Sequence, residues 1–146
     1  MKKVLETILL IATIGGGFSG VTLIFMEFIK LNNLPGAYYV VMGVALILNV
    51  YVLAAGLTFS NDRTKTKHLK RALLLQVPLI SSPFIYYKFG AGVDWTVLFY
   101  RNGVNGYYNL GSTFQLATTP HYSWAIGVNI VALTLFLLTL KVYKSS

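Results

Sequence analysis

Few side chains in this sequence of 146 residues have the chemistry of a reactive group, and their spacing limits what they could do. There is no cysteine, which excludes disulfides, thiolate metal sites and cysteine nucleophiles. The histidines are His68 and His121, the acids Glu6, Glu27, Asp62 and Asp94. Glu27 and Asp94 could approach each other, but two carboxyls without a third group make no acid–base device. No glycine-rich phosphate loop precedes a basic Ser or Thr motif. The expectation is a protein that is not an enzyme and holds no cofactor and no metal. What remains are the amides Asn49, Gln76 and Asn129, each set in an apolar run. They serve either as a polar line for a substrate headgroup or ion, or as hydrogen bonds between helices of about 0.5–2 kcal/mol each. Three amides at different depths favour the second use.

The elements that must carry these groups are built for lipid. The chain is 55% hydrophobic and 11% charged, with a mean hydropathy of +0.65, too apolar for an ordinary water-soluble domain. A spanning helix needs about 20 apolar residues, and four segments fit: 4–29, 37–59, 72–89 and 122–140. The fold class expected is an all-α membrane protein, a four-transmembrane-helix bundle with a β-hairpin-like outer segment at 90–121. Residues 1–146 form one integral membrane domain. The basic, apolar start resembles a signal peptide, but its apolar pattern continues through Val21 to Phe28, so the expectation is an uncleaved helix.

Charge sets the orientation. With the amino terminus cytoplasmic, Lys2, Lys3, Arg63, Lys65, Lys67, Lys70, Arg71, Lys141 and Lys144 lie inside, and Lys30, Lys88 and Arg101 lie outside. The protein is placed in the inner membrane with both termini in the cytoplasm. All tyrosines except Tyr51 and Tyr143, together with Trp95 and Trp124, then sit at or beyond the outer interface. The net charge of +8 is topogenic rather than a sign of nucleic-acid binding. The inner loop, residues 60–71, suits anionic headgroups at about 1 kcal/mol per cation. His68 and His121 fall on opposite faces and share no metal.

The outer segment is the expected seat of function. Val93, Trp95, Val97 and Phe99 alternate with Asp94, Thr96, Leu98 and Tyr100, the period of a strand with one apolar face. Asn102-Gly103 and Asn105-Gly106 are hairpin-turn pairs, after which 107–116 can pair back. An edge strand with exposed aromatics and little charge suits a protein partner. The candidate anchors are Trp95, Phe99, Tyr100, Tyr107, Tyr108 and Phe114, with Asp94 and Arg101 giving orientation.

Other features concern the helices. Ala12, Gly16 and Gly20 place small residues on one face for close packing, within the chain in preference to between copies. Leu31 to Gly36 is read as a tight outer turn broken by Pro35. Pro78, Ser81, Ser82 and Pro83 predict a kink in the third span. Glu27 resembles the proton-coupled glutamate of small multidrug transporters, but lies a turn from the outer end, within reach of Lys30. The functional expectation is an accessory subunit, inhibitor or immunity factor that binds a protein at its outer face. The alternative is an oligomeric transporter, flippase or channel. For that alternative, glycines in span one, Asn49 in span two and a basic inner loop resemble small four-span polyprenyl-phosphate sugar flippases. The likeness is confined to the first half of the chain, and the long outer segment departs from it.

Overall fold

Three successive glycines, Gly15 to Gly17, give the first helix both its irregularity and its contacts. In the computed structural model, which describes residues 2–30, 35–118 and 123–143, α1 (Lys2–Leu10) passes through one π-helical turn (Ile11–Gly15) into α2 (Gly16–Lys30). The Gly16 amide donates to carbonyls of that turn, and Thr13 Oγ1 donates to the Leu9 carbonyl at 2.6 Å. A Cβ at Gly17 would stand 2.7 Å from the backbone nitrogen of Leu53, and one at Gly56 would meet Thr13. Both places therefore bring α2 and its π turn close against α3 (Gly36–Asn61).

The continuous helix Lys2–Lys30 and the helix Gly36–Asn61 are long and apolar enough to cross a membrane. At 1.5 Å per residue each is about 40 Å long. Only 33% of the most apolar window of either is buried inside the protein.

The other two expected spans are corrected: the protein is not an all-α four-helix bundle. The apolar run 72–89 begins as the end of α4 (Thr66–Leu75) and continues as β1 (Pro78–Ser81) and β2 (Ile85–Gly90). Pro78 has no N–H and restricts Val77, so the helix stops before it. Beyond it the run is rich in β-branched and aromatic residues, which favour strands. Ser82 makes the turn between them, its Oγ accepting from the amides of Phe84 and Ile85 at 3.3 and 3.0 Å. The expected kinked helix is thus a β-hairpin. The run 122–140 is likewise divided, into β6 (Ala125–Asn129) and α5 (Ile130–Val142); Tyr122 lies outside the described residues. Asn129 Oδ1 caps α5 by accepting from the amides of Val131 and Ala132. With 13 residues α5 falls short of the length of a span.

The six strands form one antiparallel sheet in the order β4-β3-β6-β1-β2-β5. β3 (Val93–Tyr100) pairs with β4 (Gly103–Leu110) through the two-residue turn Arg101-Asn102, from Tyr100↔Gly103 to Val93↔Leu110. The stretch expected as one returning strand, 107–116, is broken at Gly111, whose φ of +109° suits glycine. Beyond it β5 (Thr113–Thr118) joins β2 instead, at the opposite edge.

The sheet rolls over on itself. Lys88 of β2 touches Asp94 of β3, although β1 and β6 separate those strands in the sheet order. Leu79, Leu98 and Ala125 fill the inside of the roll with Tyr86 and Tyr107. A second core, Val52, Ala55, Ala72, Phe89 and Ala91, joins the sheet to α3 and α4. A third, Leu5, Leu9, Phe59, Leu69, Leu73 and Leu135, binds the helices together at their other end. There Tyr143 Oη donates to Glu6 Oε1 at 2.6 Å, Arg63 approaches Glu6 at 3.9 Å, and Lys70 Nζ donates to the Tyr143 carbonyl at 2.9 Å. Lys2 lies over the Tyr143 ring, so the cations of the α1 start and of the 62–71 segment gather at one end of the molecule.

Candidate functional site

The faces of β3 are the reverse of an ordinary strand. Asp94, Thr96 and Leu98 point into the roll and are buried, whereas Trp95 and Phe99 are each 52% exposed on its outside. The register extends this outer face across four strands. Trp95 is opposite Tyr108 on β4, Phe99 lies between Val104 on β4 and Ile126 on β6, and Ile126 is opposite Ile80 on β1. All six side chains are exposed. Further strands turn their outer face to the helices instead: Phe114 lies 6.4 and 6.2 Å from the rings of Tyr87 and Phe89, over the core shared with α3.

Inside the roll Lys88 Nζ stands 2.9 Å from Asp94 Oδ2 and 4.0 Å from the centre of the Tyr107 ring. Thr96 Oγ1 donates to Asp94 Oδ1 at 2.5 Å. Burial pushes the Tyr107 hydroxyl up to about 12. A cavity of about 290 Å³ opens elsewhere in the roll, among Ser81, Tyr86, Tyr100 and Gln115. The arrangement neutralises a lysine within the sheet, which an apolar interior requires of any charge it holds.

The eight residues expected to meet a partner are therefore distributed over different surroundings. Trp95, Phe99 and Tyr108 share the outer face, with Tyr100 and Arg101 exposed at the hairpin tip. Asp94 and Tyr107 face the interior, and Phe114 the helix joint. The part of this face beyond Phe99 that the hairpin pattern alone did not supply, Ile126 and Ile80, comes from β6 and β1, both of which the sequence presents as parts of helices.

The three amides have three separate local tasks. Asn49 Nδ2 donates to the Ala45 carbonyl, and its side chain packs on Gly20. Gln76 ends α4, donating to the Ala72 carbonyl while its Oε1 accepts from the Ala91 amide at 2.9 Å, and so ties the β2–β3 turn to the helix. Asn129 caps α5. Asn49 lines a groove of about 470 Å³ between α2, α3 and β5, with Glu27 near its mouth. Gln76 lines a different one, of about 340 Å³. Of the small residues, Gly20 meets α3, whereas Ala12 and Gly16 meet Ala91 and Gly92 of the β2–β3 turn. Gly17 supplies the helix contact that the four-residue spacing left out.

His68 lies on α4 with its Nδ1 3.4 Å from the Tyr51 hydroxyl. His121, Lys144 and residues 31–34 of the expected outer turn lie outside the described residues. At the basic end, Lys65, Lys67, Lys70 and Arg71 surround a fourth concavity, of about 460 Å³. Comparison of the chain with protein families, curated proteins and solved structures gives no match.

Proposed function

We propose that this is an integral membrane protein that acts by binding another protein on the outside of its rolled sheet. One observation carries the reading: the contiguous, uncharged, exposed face of Trp95, Phe99, Tyr108, Val104, Ile126 and Ile80. A soluble monomer rarely leaves so many neighbouring large apolar side chains in water. Trp and Tyr are also the side chains that most often anchor an interface. The edge of β4 adjoins this face, and among the described residues no strand pairs with it, so its backbone groups can take an incoming strand.

The membrane setting is supported by two helices whose apolar surfaces are mostly uncovered by the rest of the chain. By the positive-inside tendency the cation-rich end lies in the cytoplasm of a bacterial-type inner membrane, and the sheet lies toward the outer side. An accessory subunit of a membrane complex, or an inhibitor, would work this way by complementary packing without chemistry of its own.

The test is isolation from the native membrane in mild detergent. The wild-type chain is expected to bring down a companion polypeptide in stoichiometric amount. Trp95→Ser with Phe99→Ser is expected to lose it while staying in the membrane fraction. An identical set of companions for both chains overturns the reading.

A further inference from the structure

At the cation-rich end the loop after α3 is built rather than loose. Asp62 Oδ1 accepts from the amide and the hydroxyl of Thr64, at 2.9 and 2.6 Å, and these bonds hold the Asp62 carboxyl below the usual carboxylate range. The turn delivers the chain into α4 at Thr66, where Lys65 occupies the cap position and no side chain bonds the first-turn amides. Lys67, Lys70 and Arg71 follow at the spacing that puts three side chains on one helical face. α4 contains no acidic residue. Like charges three and four residues apart weaken a helix, and orientation in a membrane asks only that cations be on the inner side, without gathering them on one concave surface.

Here they do gather. Lys65, Lys67, Lys70 and Arg71 line a concavity of about 460 Å³ whose other wall is Phe136 and Leu140, one turn apart on α5. Among the described residues neither Lys67 nor Arg71 forms an ion pair. Lys65 has only a 3.9 Å approach to Asp62, and Lys70 is pinned by its bond to the Tyr143 carbonyl. An excess of positive charge, a helix start that no side chain caps and an apolar wall together describe a receptor for an anion attached to a hydrocarbon.

We infer that this concavity binds the phosphate of an acidic phospholipid. Lys67 and Arg71 hold the phosphate oxygens, the start of α4 faces the negative charge, and Phe136 and Leu140 lie along the first carbons of the acyl chains. The inference rests on the reading that α2 and α3 cross a membrane, and it concerns the end of the molecule opposite the proposed partner face. A nucleic-acid phosphate is the poorer fit, because the apolar wall offers a single ring, Phe136, beside the aliphatic Leu140, and no run of rings on which successive bases stack.

The experiment uses the full chain in phosphatidylcholine nanodiscs, with and without phosphatidic acid, and measures lipid retention by native mass spectrometry and thermal unfolding. The wild type is expected to retain phosphatidic acid and to melt at a higher temperature in its presence. Lys67→Gln with Arg71→Gln is expected to weaken retention about thirtyfold and to abolish the thermal gain, with melting in phosphatidylcholine alone unchanged. Lys2→Gln with Lys3→Gln removes the same charge from the same end outside the concavity and is expected to keep both effects. Equal loss in the two double variants, or no retention by the wild type, overturns the site. An equal thermal gain from inorganic phosphate overturns the lipid as its source. Dispersal of the chain without lipid or detergent would instead refute the membrane reading on which the proposal stands.

Discussion

Lys88 reaches Asp94 across the inside of the rolled sheet, Nζ to Oδ2 at 2.9 Å, with side chains only 10% and 1% exposed. The pair, set against the Tyr107 ring, clamps together β2 and β3, two strands that share no backbone pairing. Removing one partner of such a pair leaves a buried charge uncompensated, which costs about 3–5 kcal/mol. Asp94→Ala is therefore expected to lower stability by that amount in reversible denaturation in detergent, followed by tryptophan fluorescence. Lys88→Met combined with Asp94→Leu is expected to recover most of it, since no charge then remains inside. A double variant as unstable as the single one would mean that the pair matters for its geometry and not its charge.

The contact of α2 with α3 depends on glycines that have no room for a methyl group. At Gly17 the obstruction is the backbone of α3 itself, the Leu53 nitrogen 2.7 Å from an added Cβ. Gly43, also on α3, has nothing within 4 Å of the same position. Gly17→Ala is expected to destabilise by about 1–3 kcal/mol through overpacking. Gly43→Ala is expected to be stabilising by up to about 1 kcal/mol, because alanine is the better helix former. The pair is checked by thermal unfolding of the two variants in one detergent.

Alkaline titration reports on both ends of the molecule. Burial pushes the Tyr107 and Tyr143 hydroxyls each up to about 12, and for Tyr143 the bond to Glu6 adds to the effect. A group whose folded value is raised contributes stability that is complete below its unfolded value, near 10 for tyrosine, and is lost as pH rises through the folded value. Stability is thus expected to be flat in these groups up to about pH 10 and to fall between about 10 and 12. Absorbance at the tyrosinate band should show Tyr107 and Tyr143, together with Tyr87, whose hydroxyl burial also raises, ionising later than the tyrosines of the denatured chain. Tyr107→Phe and Tyr143→Phe should each remove one late-ionising group.

How far the sequence reveals this fold follows from where its period changes. The first two helices, the strand 93–100 and the cation-rich end are all legible, because each keeps one pattern over its whole length. The runs 72–89 and 122–140 each change from one structure to the other midway, without a charge to mark the place. In the first the mark is Pro78, which reads equally as a kink within a helix and as the start of a strand. In the second it is Asn129, which reads as an amide inside a span until β6 is seen to end there. The ion pair is not legible at all: the sequence sets Lys88 on the outer side of the membrane and gives Asp94 to a partner, and only the roll of the sheet brings them together. The basic concavity, by contrast, is visible in part as the inner basic loop, while its apolar wall comes from α5, sixty-odd residues later.

The reversed faces of β3 give the last prediction. In a water-soluble strand with this alternation the Trp95 side would be the core and the Asp94 side the surface. Here Leu98 is 7% exposed and packs with Leu79 and Ala125, while Trp95 is 52% exposed. Leu98→Ala is accordingly expected to cost about 2–5 kcal/mol, as in other cores. Trp95→Ala, a far larger truncation, is expected to change folding stability by under about 1 kcal/mol. Both are measured in detergent, with the isolated chain, so that no partner contributes. A tryptophan variant as damaged as the leucine one would show that the outer face packs within its own chain, and would remove the surface on which partner binding is proposed.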